Sequence, residues 1–309
     1  KLSKIYNLKY LENSVMIKIA MLGSDSSHTD AYCELTNISK SNISRKANVE
    51  ILWGENFNET KEKAKKYNIK SVSKNLEDIN FENIDLVMVV GRFGNSHFEP
   101  AKLAIENKIP TFVDKPFTNN LLEAIDLVES AKKNNSKLIS FSPLRFADEI
   151  ILLRKNYVKN LRPLNLIVTS PLITKTVPGE GTKSIYFYSI HAVDICLSLI
   201  KSKPESLIAR RVNDAVMADL VFENGSSTSL NLTYNQKEIY HVISFEDGFV
   251  NSINIDPYGK YYANTLDYLL NCFHKGDKEE FNIDQAIDSI AIIDAIERSL
   301  DQSKKVGFN

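Results

Sequence analysis

The sequence predicts an α/β protein with a doubly wound parallel sheet in its N-terminal half and an α+β half with an open, mainly antiparallel sheet. Three observations support this prediction. Short apolar runs alternate with helical patterns in the first half. In the second half, Asn224-Gly225 and Asp247-Gly248 stand between runs of alternating polarity, which strongly indicates hairpins. The length of 309 residues, at about 150 residues per domain, favours two domains.

Five apolar runs of the first half are predicted strands, and three segments between them have helical spacing. The strands are residues 17–22, 49–53, 84–90, 110–113 and 137–141, and the helices are residues 58–67, 98–107 and 120–134. Asn58 is the predicted N-cap of the first helix. Because parallel strands end at one edge of their sheet, we expect a ligand to bind at that edge.

The second half has a different pattern, which predicts an antiparallel meander and two closing helices. The strands are residues 216–222, 228–234, 241–245 and 250–255, and the helices are residues 261–273 and 283–303. The last helix is a candidate for packing back on the first half. The change near Ser142-Pro143 predicts domains at residues 16–141 and 142–309, after an N-terminal extension at residues 1–15.

Composition and charge argue against several classes of protein. Lys and Arg number 38 against 39 Asp and Glu, so the chain gives little reason to expect nucleic acid or an anionic membrane as a partner. No apolar run approaches the roughly 18 residues of a membrane span. The three cysteines are far apart, as is typical of reduced thiols, and this predicts a cytoplasmic protein.

The loop after the first predicted strand stands where a Rossmann domain binds a dinucleotide. It reads Gly23, Ser24, Asp25, Ser26, Ser27 and His28. Only the first glycine of the GxGxxG fingerprint is present, since Asp25 and His28 take the places of the other two. The three serines can donate hydroxyl groups to a phosphate. The alternative is that Asp25 or a serine only caps the following helix.

Two further segments are candidates for cofactor contacts. Glu55 lies just beyond the second strand, where a carboxylate binds the adenosine ribose of NAD and repels the 2′-phosphate of NADP. The alternative for Glu55 is an exposed loop acid. Asn95 and His97 follow the third strand at the same sheet edge, where Asn95 is also a candidate helix cap and His97 a candidate for orienting the loop.

The segment Asp114-Lys115-Pro116 is the most informative stretch of the chain. Proline restricts the residue before it to extended conformations, so Lys115 has few ways to leave the end of its strand. An ammonium group held in this way can hydrogen-bond and polarise a substrate oxygen. The alternative is a Lys-Pro turn at the surface.

A mostly apolar helix after Tyr186 carries His191 and Asp194, which share a face because they are three residues apart. A histidine suits proton transfer near neutral pH. The alternative is a core histidine bonded to a neighbour.

In this order, the segments resemble the glucose–fructose oxidoreductase / inositol dehydrogenase (Gfo/Idh/MocA) family from about residue 17 to residue 303. The matching motifs are Asn95, His97 and Pro100; Asp114-Lys115-Pro116; Ser142-Pro143-Leu144-Arg145-Phe146; and His191 with Asp194. The resemblance implies a Rossmann domain and NAD as cofactor, with NADP as the alternative.

The resemblance also implies an activity and an assembly. The reaction would transfer hydride between the nicotinamide and a carbon of a sugar, nucleotide-sugar, cyclitol or similar polyol. Lys115 and His191 would be catalytic, and Arg145, Tyr188 and Asp194 would contact the substrate. The second sheet would form a homodimer or homotetramer.

Two departures from the family pattern keep alternatives open. The glycine loop is degraded, and Phe187 stands where family members usually carry aspartate four residues before the histidine. A catalytically silent dinucleotide- or sugar-binding subunit is therefore the main alternative. A metal enzyme using Asp25, His28, His97 and His191 is less favoured because these residues lack a compact ligand spacing, so no metal is predicted.

Overall fold

The computed structural model describes residues 16–157, 164–173, 184–213, 215–234, 239–246, 249–256, 259–275 and 280–308. The predicted N-terminal extension at residues 1–15 and the Asp247-Gly248 turn lie outside these ranges.

The first sheet has six parallel strands in the order β3-β2-β1-β4-β5-β6. The strands are β1 (Ile17–Leu22), β2 (Ala47–Trp53), β3 (Ser71–Val72), β4 (Leu86–Val89), β5 (Thr111–Val113) and β6 (Leu138–Ser140). The order reverses between β1 and β4, and a crevice at the carboxyl ends of the strands forms at such a reversal. The predicted doubly wound sheet is confirmed.

Four helices connect the strands of this sheet. They are α1 (Ser27–Cys33), α2 (Phe57–Lys66), α3 (Phe98–Glu106) and α4 (Leu121–Asn134). The prediction that Asn58 caps α2 is wrong, because the Asn56 side chain accepts hydrogen bonds from the backbone N–H groups of Asn58 and Glu59. Asn120 caps α4 in the same way.

The second sheet has seven strands in the order β12-β11-β7-β10-β9-β8-β13. The strands are β7 (Asn165–Ile173), β8 (Pro204–Val212), β9 (Ala215–Phe222), β10 (Ser227–Tyr234), β11 (Tyr240–Glu246), β12 (Phe249–Ile255) and β13 (Val306–Gly307). The hairpins β9–β10 and β11–β12 are confirmed, and Gly225 adopts a φ of +81° in the first turn. The meander is interrupted because β7 lies between β10 and β11, parallel to β10.

In the described ranges, the second half has four α-helices, of which three pack on strands of this sheet and one packs on the first helix of the chain. They are α5 (Asp148–Tyr157), α6 (Ile185–Leu199), α7 (Tyr261–Leu270) and α8 (Asp284–Gln302). Helix α6 is buried along almost its whole length against β7. Helix α8 packs on α6 and β8 and also reaches α4, where Lys132 lies 3.3 Å from Asp284. No helix in the described ranges has both the length and the apolar composition of a membrane span.

The hydrophobic core is continuous between the two halves. One buried cluster contains Ala20 and Val87 from the first sheet together with Leu220 and Val242 from the second. A second cluster lies on the other face of the first sheet and includes Leu266 of α7. The carboxyl edge of the first sheet therefore faces α6 and α7, which is where the polar side chains meet.

Candidate active site

A cleft at the carboxyl edge of the first sheet brings several predicted site residues together. We call it the main cleft. The predicted site residues that line it are Ser26, Ser27, His28, Lys115, Tyr188 and His191. The others in its lining are Arg92, Pro143, Leu144, Phe187, Tyr240, Tyr261 and Tyr262. The cleft thus lies between the end of the first sheet and the helices of the second half.

Lys115 follows β5 and enters the main cleft with only 7% of its surface exposed. Its backbone N–H donates to Asp114 Oδ1 at 2.7 Å, and the Lys115–Pro116 peptide bond is cis. The ammonium Nζ lies 4.8 Å from the centroid of the Phe187 ring. A cation over an aromatic face is attracted by the ring quadrupole. Phe187 therefore contacts the lysine at the position where the resemblance expects an acid.

His28, in the lining of the cleft, is hydrogen-bonded to Asp114 behind it. His28 Nδ1 donates a hydrogen bond to Asp114 Oδ2. The His28 and Tyr262 rings pack in a T-shaped arrangement, with their centroids 5.0 Å apart. Burial by itself raises the pKa of Asp114, but the charge and hydrogen bond of His28, with Lys115, bring that pKa below its ordinary value. Asp114 is therefore a carboxylate at neutral pH, and it accepts the hydrogen bond that His28 donates.

His191 stands in α6 on the opposite wall of the cleft. Its Nδ1 lies 2.7 Å from Ser142 Oγ, which also accepts the backbone N–H of Leu144. Burial, followed by the charges of Lys115 and His28, lowers the pKa of His191 well below its usual range. His191 is therefore neutral at pH 7 and able to accept a hydrogen bond or a proton.

Arg145 and Asp194 form a buried pair beside the cleft. Arg145 Nε and Nη2 each donate to a different Asp194 oxygen at 2.7 Å, and Asp194 Oδ2 also accepts the Ser142 N–H at 2.5 Å. Arg145 Nη1 donates to Gln285, and neither Arg145 nor Asp194 lines the main cleft. The structure thus places this pair where it supports Ser142 and α6, and contact of either residue with a substrate stays a prediction.

Hydrogen bonds within the protein hold the glycine loop, residues 23–28, in place. Gly23 has a φ of +113°, and a Cβ there would lie 2.2 Å from the Gly91 nitrogen, so only glycine fits where β1 and β4 approach each other. The Ser24 hydroxyl bonds to Thr60, and the Ser26 side chain caps α1 through the backbone N–H of His28. These two hydroxyls are therefore already engaged within the fold.

A second pocket lies on the other side of this loop. Its lining is Gly23, Asp25, Trp53, Glu55, Phe93, Asn95 and Ser96. Asp25 Oδ1 accepts the backbone N–H of Arg92 at 3.3 Å, so the loop after β1 is bonded to the loop after β4 between the two pockets. Glu55 and Asn95 come together here, away from Lys115 and His191.

His97 lies behind the loops of both pockets rather than in their walls. It is fully buried, with Nδ1 2.8 Å from the Pro116 carbonyl and Nε2 2.8 Å from the Gly91 carbonyl. The imidazole therefore ties the loop after β4 to the loop that carries Lys115. Burial lowers the pKa of His97, in spite of these carbonyl contacts.

The residues present fit a dinucleotide across the two pockets. The strand order, the tight turn at Gly23 and an acid past the end of β2 are the features that a Rossmann domain uses for the pyrophosphate and the adenosine ribose. The indole Nε1 of Trp53 is buried without a hydrogen-bond partner among the described residues. Glu55 and Asn95 would face the adenosine end, and Lys115 the nicotinamide end.

The described ranges contain no cluster of three or more His, Cys, Asp or Glu side chains arranged to hold a metal. Of the four residues in the metal alternative, His28 is bonded to Asp114, His97 to two carbonyls and His191 to Ser142.

Several residues of the cleft were not predicted from the sequence. Tyr261 and Tyr262 begin α7, whose aromatic residues at helical spacing are more typical of core or interface. Their place in the cleft depends on the packing of α7 against α1, which no local pattern shows. The Ser142 hydroxyl contacts His191 across 49 residues of sequence, which no local pattern predicts.

Fold and site together define a protein of the Rossmann class whose second, sheet-bearing half lies across the cleft. The model of the GFO_IDH_MocA family, described as an oxidoreductase family with an NAD-binding Rossmann fold, matches residues 17–141. The first half of the chain is thus similar to this family, and the match does not extend into the second half.

Solved structures with the same fold cover both halves of the chain. Scyllo-inositol dehydrogenase from Lactobacillus casei, solved with NAD(H) and scyllo-inositol, has a TM-score of 0.80 at 12% identity and covers 95% of this chain and 99% of its own. A myo-inositol dehydrogenase from Corynebacterium glutamicum has a TM-score of 0.79 at 14% identity, covering 96% and 99%.

A third similar structure is UDP-N-acetylglucosamine 3-dehydrogenase from Acidithiobacillus ferrooxidans, with a TM-score of 0.76 at 16% identity, covering 93% and 99%. No curated protein sequence matches the chain significantly. At these identities the structures establish the fold of both halves.

Proposed function

We propose that the protein is an NAD-dependent oxidoreductase that acts on a carbinol or carbonyl carbon of a sugar, nucleotide-sugar, cyclitol or similar polyol. The observation that carries the proposal is the meeting of Lys115 and His191 in one cleft at the reversal of strand order. The family match and the substrates named for the similar structures support the substrate class.

The bound cofactor would supply the redox chemistry by exchanging hydride at its nicotinamide ring. Lys115 would donate a hydrogen bond to the substrate oxygen and stabilise negative charge that develops on it. His191, neutral and supported by Ser142, would accept a hydrogen bond from the same hydroxyl. The aromatic side chains of Phe187 and Tyr188 would exclude water from the reacting atoms.

A second candidate function is a silent dinucleotide- or sugar-binding subunit. Two observations favour it: Asp25 spans the place where a diphosphate would cross, and Phe187 replaces the expected acid. Binding of NADH without turnover of any compound in a broad panel of sugars and polyols would select this alternative.

The test compares Lys115→Ala with Lys102→Ala, a surface lysine of α3 paired with Asp126. Thermal-shift titrations with NADH and NADPH measure cofactor binding, and a panel of sugars and polyols measures turnover. Lys115→Ala should abolish turnover with a modest loss of cofactor affinity, while Lys102→Ala should behave as the wild type. Unchanged kcat in Lys115→Ala would remove the lysine from the mechanism.

A further inference from the structure

We propose that His28, held by Asp114, is the residue that takes up the proton released when the substrate hydroxyl is oxidised. This inference rests on the proposed oxidoreductase function and assigns its acid–base residue. It moves the acid–base group of the site from the helix that carries His191 to His28 of α1, which is held by Asp114 at the end of β5.

The geometry leaves one nitrogen of His28 for a ligand. Nδ1 is bonded to Asp114 and the ring edge is packed by Tyr262, while His28 lines the main cleft with Lys115 and His191. No other described side chain bonds to the imidazole. His28 Nε2 is therefore the atom available to a hydroxyl, either directly or through one water.

The two histidines of the cleft differ in how they accommodate a positive charge. A proton on His28 is balanced by the buried carboxylate of Asp114. A proton on His191 has the Ser142 hydroxyl and no carboxylate as its hydrogen-bond partner among the described residues, in a buried position close to the charge of Lys115. The imidazolium is thus favoured on His28, and His191 is left to orient the hydroxyl.

The other groups around His28 do not supply an alternative acid. Tyr262 of α7 packs on His28 and on Tyr32 of α1, and burial raises the pKa of both phenols well above the usual value. Lys115 and Arg92 are cations, and Tyr261 is a further phenol of α7 in the same lining. In the described ranges the cleft lining contains no Asp or Glu, so Asp114 behind His28 is the nearest carboxylate.

The proposed step balances as an alcohol oxidation. The carbinol C–H bond breaks and its hydride, with two electrons, reduces the oxidised nicotinamide. The O–H bond breaks and its proton forms an N–H bond at His28 Nε2, while the carbon and oxygen form a carbonyl. The imidazolium then returns the proton to water, and carbonyl reduction follows the same steps in reverse.

The experiment uses the full chain with His28→Gln and His28→Ala, and it takes His241→Gln as the matched control. The control histidine is in β11, bonded to Ser252 and outside the cleft lining. For each variant, kcat of alcohol oxidation is measured across the neutral pH range, and NADH affinity is measured by thermal shift. Melting temperature without ligand reports on folding.

General acid–base catalysis contributes about 100-fold or more, so both His28 variants should lose about that factor in kcat while keeping NADH affinity near wild type. His28→Gln retains an amide that can donate to Asp114, so its melting temperature should stay closer to wild type than that of His28→Ala. Added imidazole should restore part of the turnover of His28→Ala, because it enters the space vacated by the side chain. His241→Gln should keep the wild-type kcat.

Three outcomes overturn the inference in distinguishable ways. Wild-type kcat in both His28 variants rejects it while leaving the oxidoreductase function intact. A loss that appears in NADH affinity instead of kcat, without imidazole rescue, makes His28 a cofactor contact. Absence of turnover in the wild-type protein overturns the proposed function and this inference together.

Discussion

Phe187 and His28 are the residues at which the cleft departs from the family pattern, and each makes a specific contact there. Phe187 removes a carboxylate from α6, and its ring instead faces the Lys115 ammonium at 4.8 Å. His28 replaces a glycine of the fingerprint, and its side chain reaches the carboxylate of Asp114. The carboxylate at position 187 is thus absent, and Asp114, which the family motif also contains, is bonded to His28 behind the cleft wall.

The choice between NAD and NADP depends on Glu55, which lines the second pocket beyond β2. A carboxylate there repels a 2′-phosphate and hydrogen-bonds a free ribose. Glu55→Ala should therefore shift the ratio of NADPH to NADH affinity in favour of NADPH by about tenfold, or roughly 1.4 kcal/mol. Parallel thermal-shift titrations with the two cofactors measure this ratio.

The control for this prediction is Glu59→Ala, an acid in the first turn of α2 that is bonded to Asn56. It alters the same region without removing the predicted ribose contact, so it should leave the ratio unchanged. An unaltered ratio in Glu55→Ala would place the ribose contact elsewhere.

Among the elements, the turn Pro143–Phe146 and helix α6 are joined by the Arg145–Asp194 pair. Both side chains are buried, and removing one partner from such a pair leaves an uncompensated charge that typically costs about 3–5 kcal/mol. Asp194→Ala should lower the free energy of unfolding by about that amount. Urea unfolding followed by circular dichroism measures it.

The double variant Arg145→Met with Asp194→Leu is the matched comparison. Replacing both charges with apolar groups removes the buried cation, so this variant should recover much of the stability lost in Asp194→Ala. Recovery will be incomplete because the Ser142 N–H loses its acceptor. Equal instability of the two variants would contradict the role of the uncompensated arginine.

The elements with a clear local pattern could be predicted, and those set by distant contacts could not. The predicted strand at residues 17–22 and the helix ending at Asn134 agree with β1 and α4 because their apolar spacing is continuous. Strand β7 was missed because its place depends on β10 and β11, which come more than fifty residues later in the chain. The N-cap of α2 was misplaced because both Asn56 and Asn58 are good caps, and only the backbone selects Asn56.

The same distinction applies to the candidate site. The proline after Lys115 and the three-residue spacing of His191 and Asp194 are local signals, and the latter two side chains do reach one residue, Ser142. The pairing of Asp194 with Arg145 spans 49 residues and depends on how the turn packs against α6. No local pattern distinguishes such a pair from two substrate contacts.

The division of the chain into two domains stays a prediction, because the two halves share one hydrophobic core. Helix α8 contacts α4 of the first half as well as α6 of the second, and one buried cluster includes residues of both sheets. Large independent rotation of the halves would expose this shared core. We therefore expect the cleft to open through movements of its loops rather than through separation of the two sheets.

Assembly is the last prediction, and it concerns the outer side of the second sheet. Strand β12 is an edge strand, and Phe249 and Val250 are 73% and 63% exposed, next to the exposed Phe245 of β11. Apolar edges of this kind favour pairing with another chain. We propose that this side joins copies of the chain in a homodimer or homotetramer, which requires about 800 Å² of buried surface per partner.

Phe249→Glu combined with Val250→Glu should convert the assembly to monomers, because acidic side chains would be buried against each other across the interface. The matched control is Leu122→Glu on α4, where an equally exposed apolar residue lies in the first half, far from this sheet edge in the sequence. Sedimentation velocity measures the assembly of all three proteins. A wild-type protein that sediments as a monomer at micromolar concentration, or a double variant that stays assembled, would show that this side of the sheet does not join the subunits.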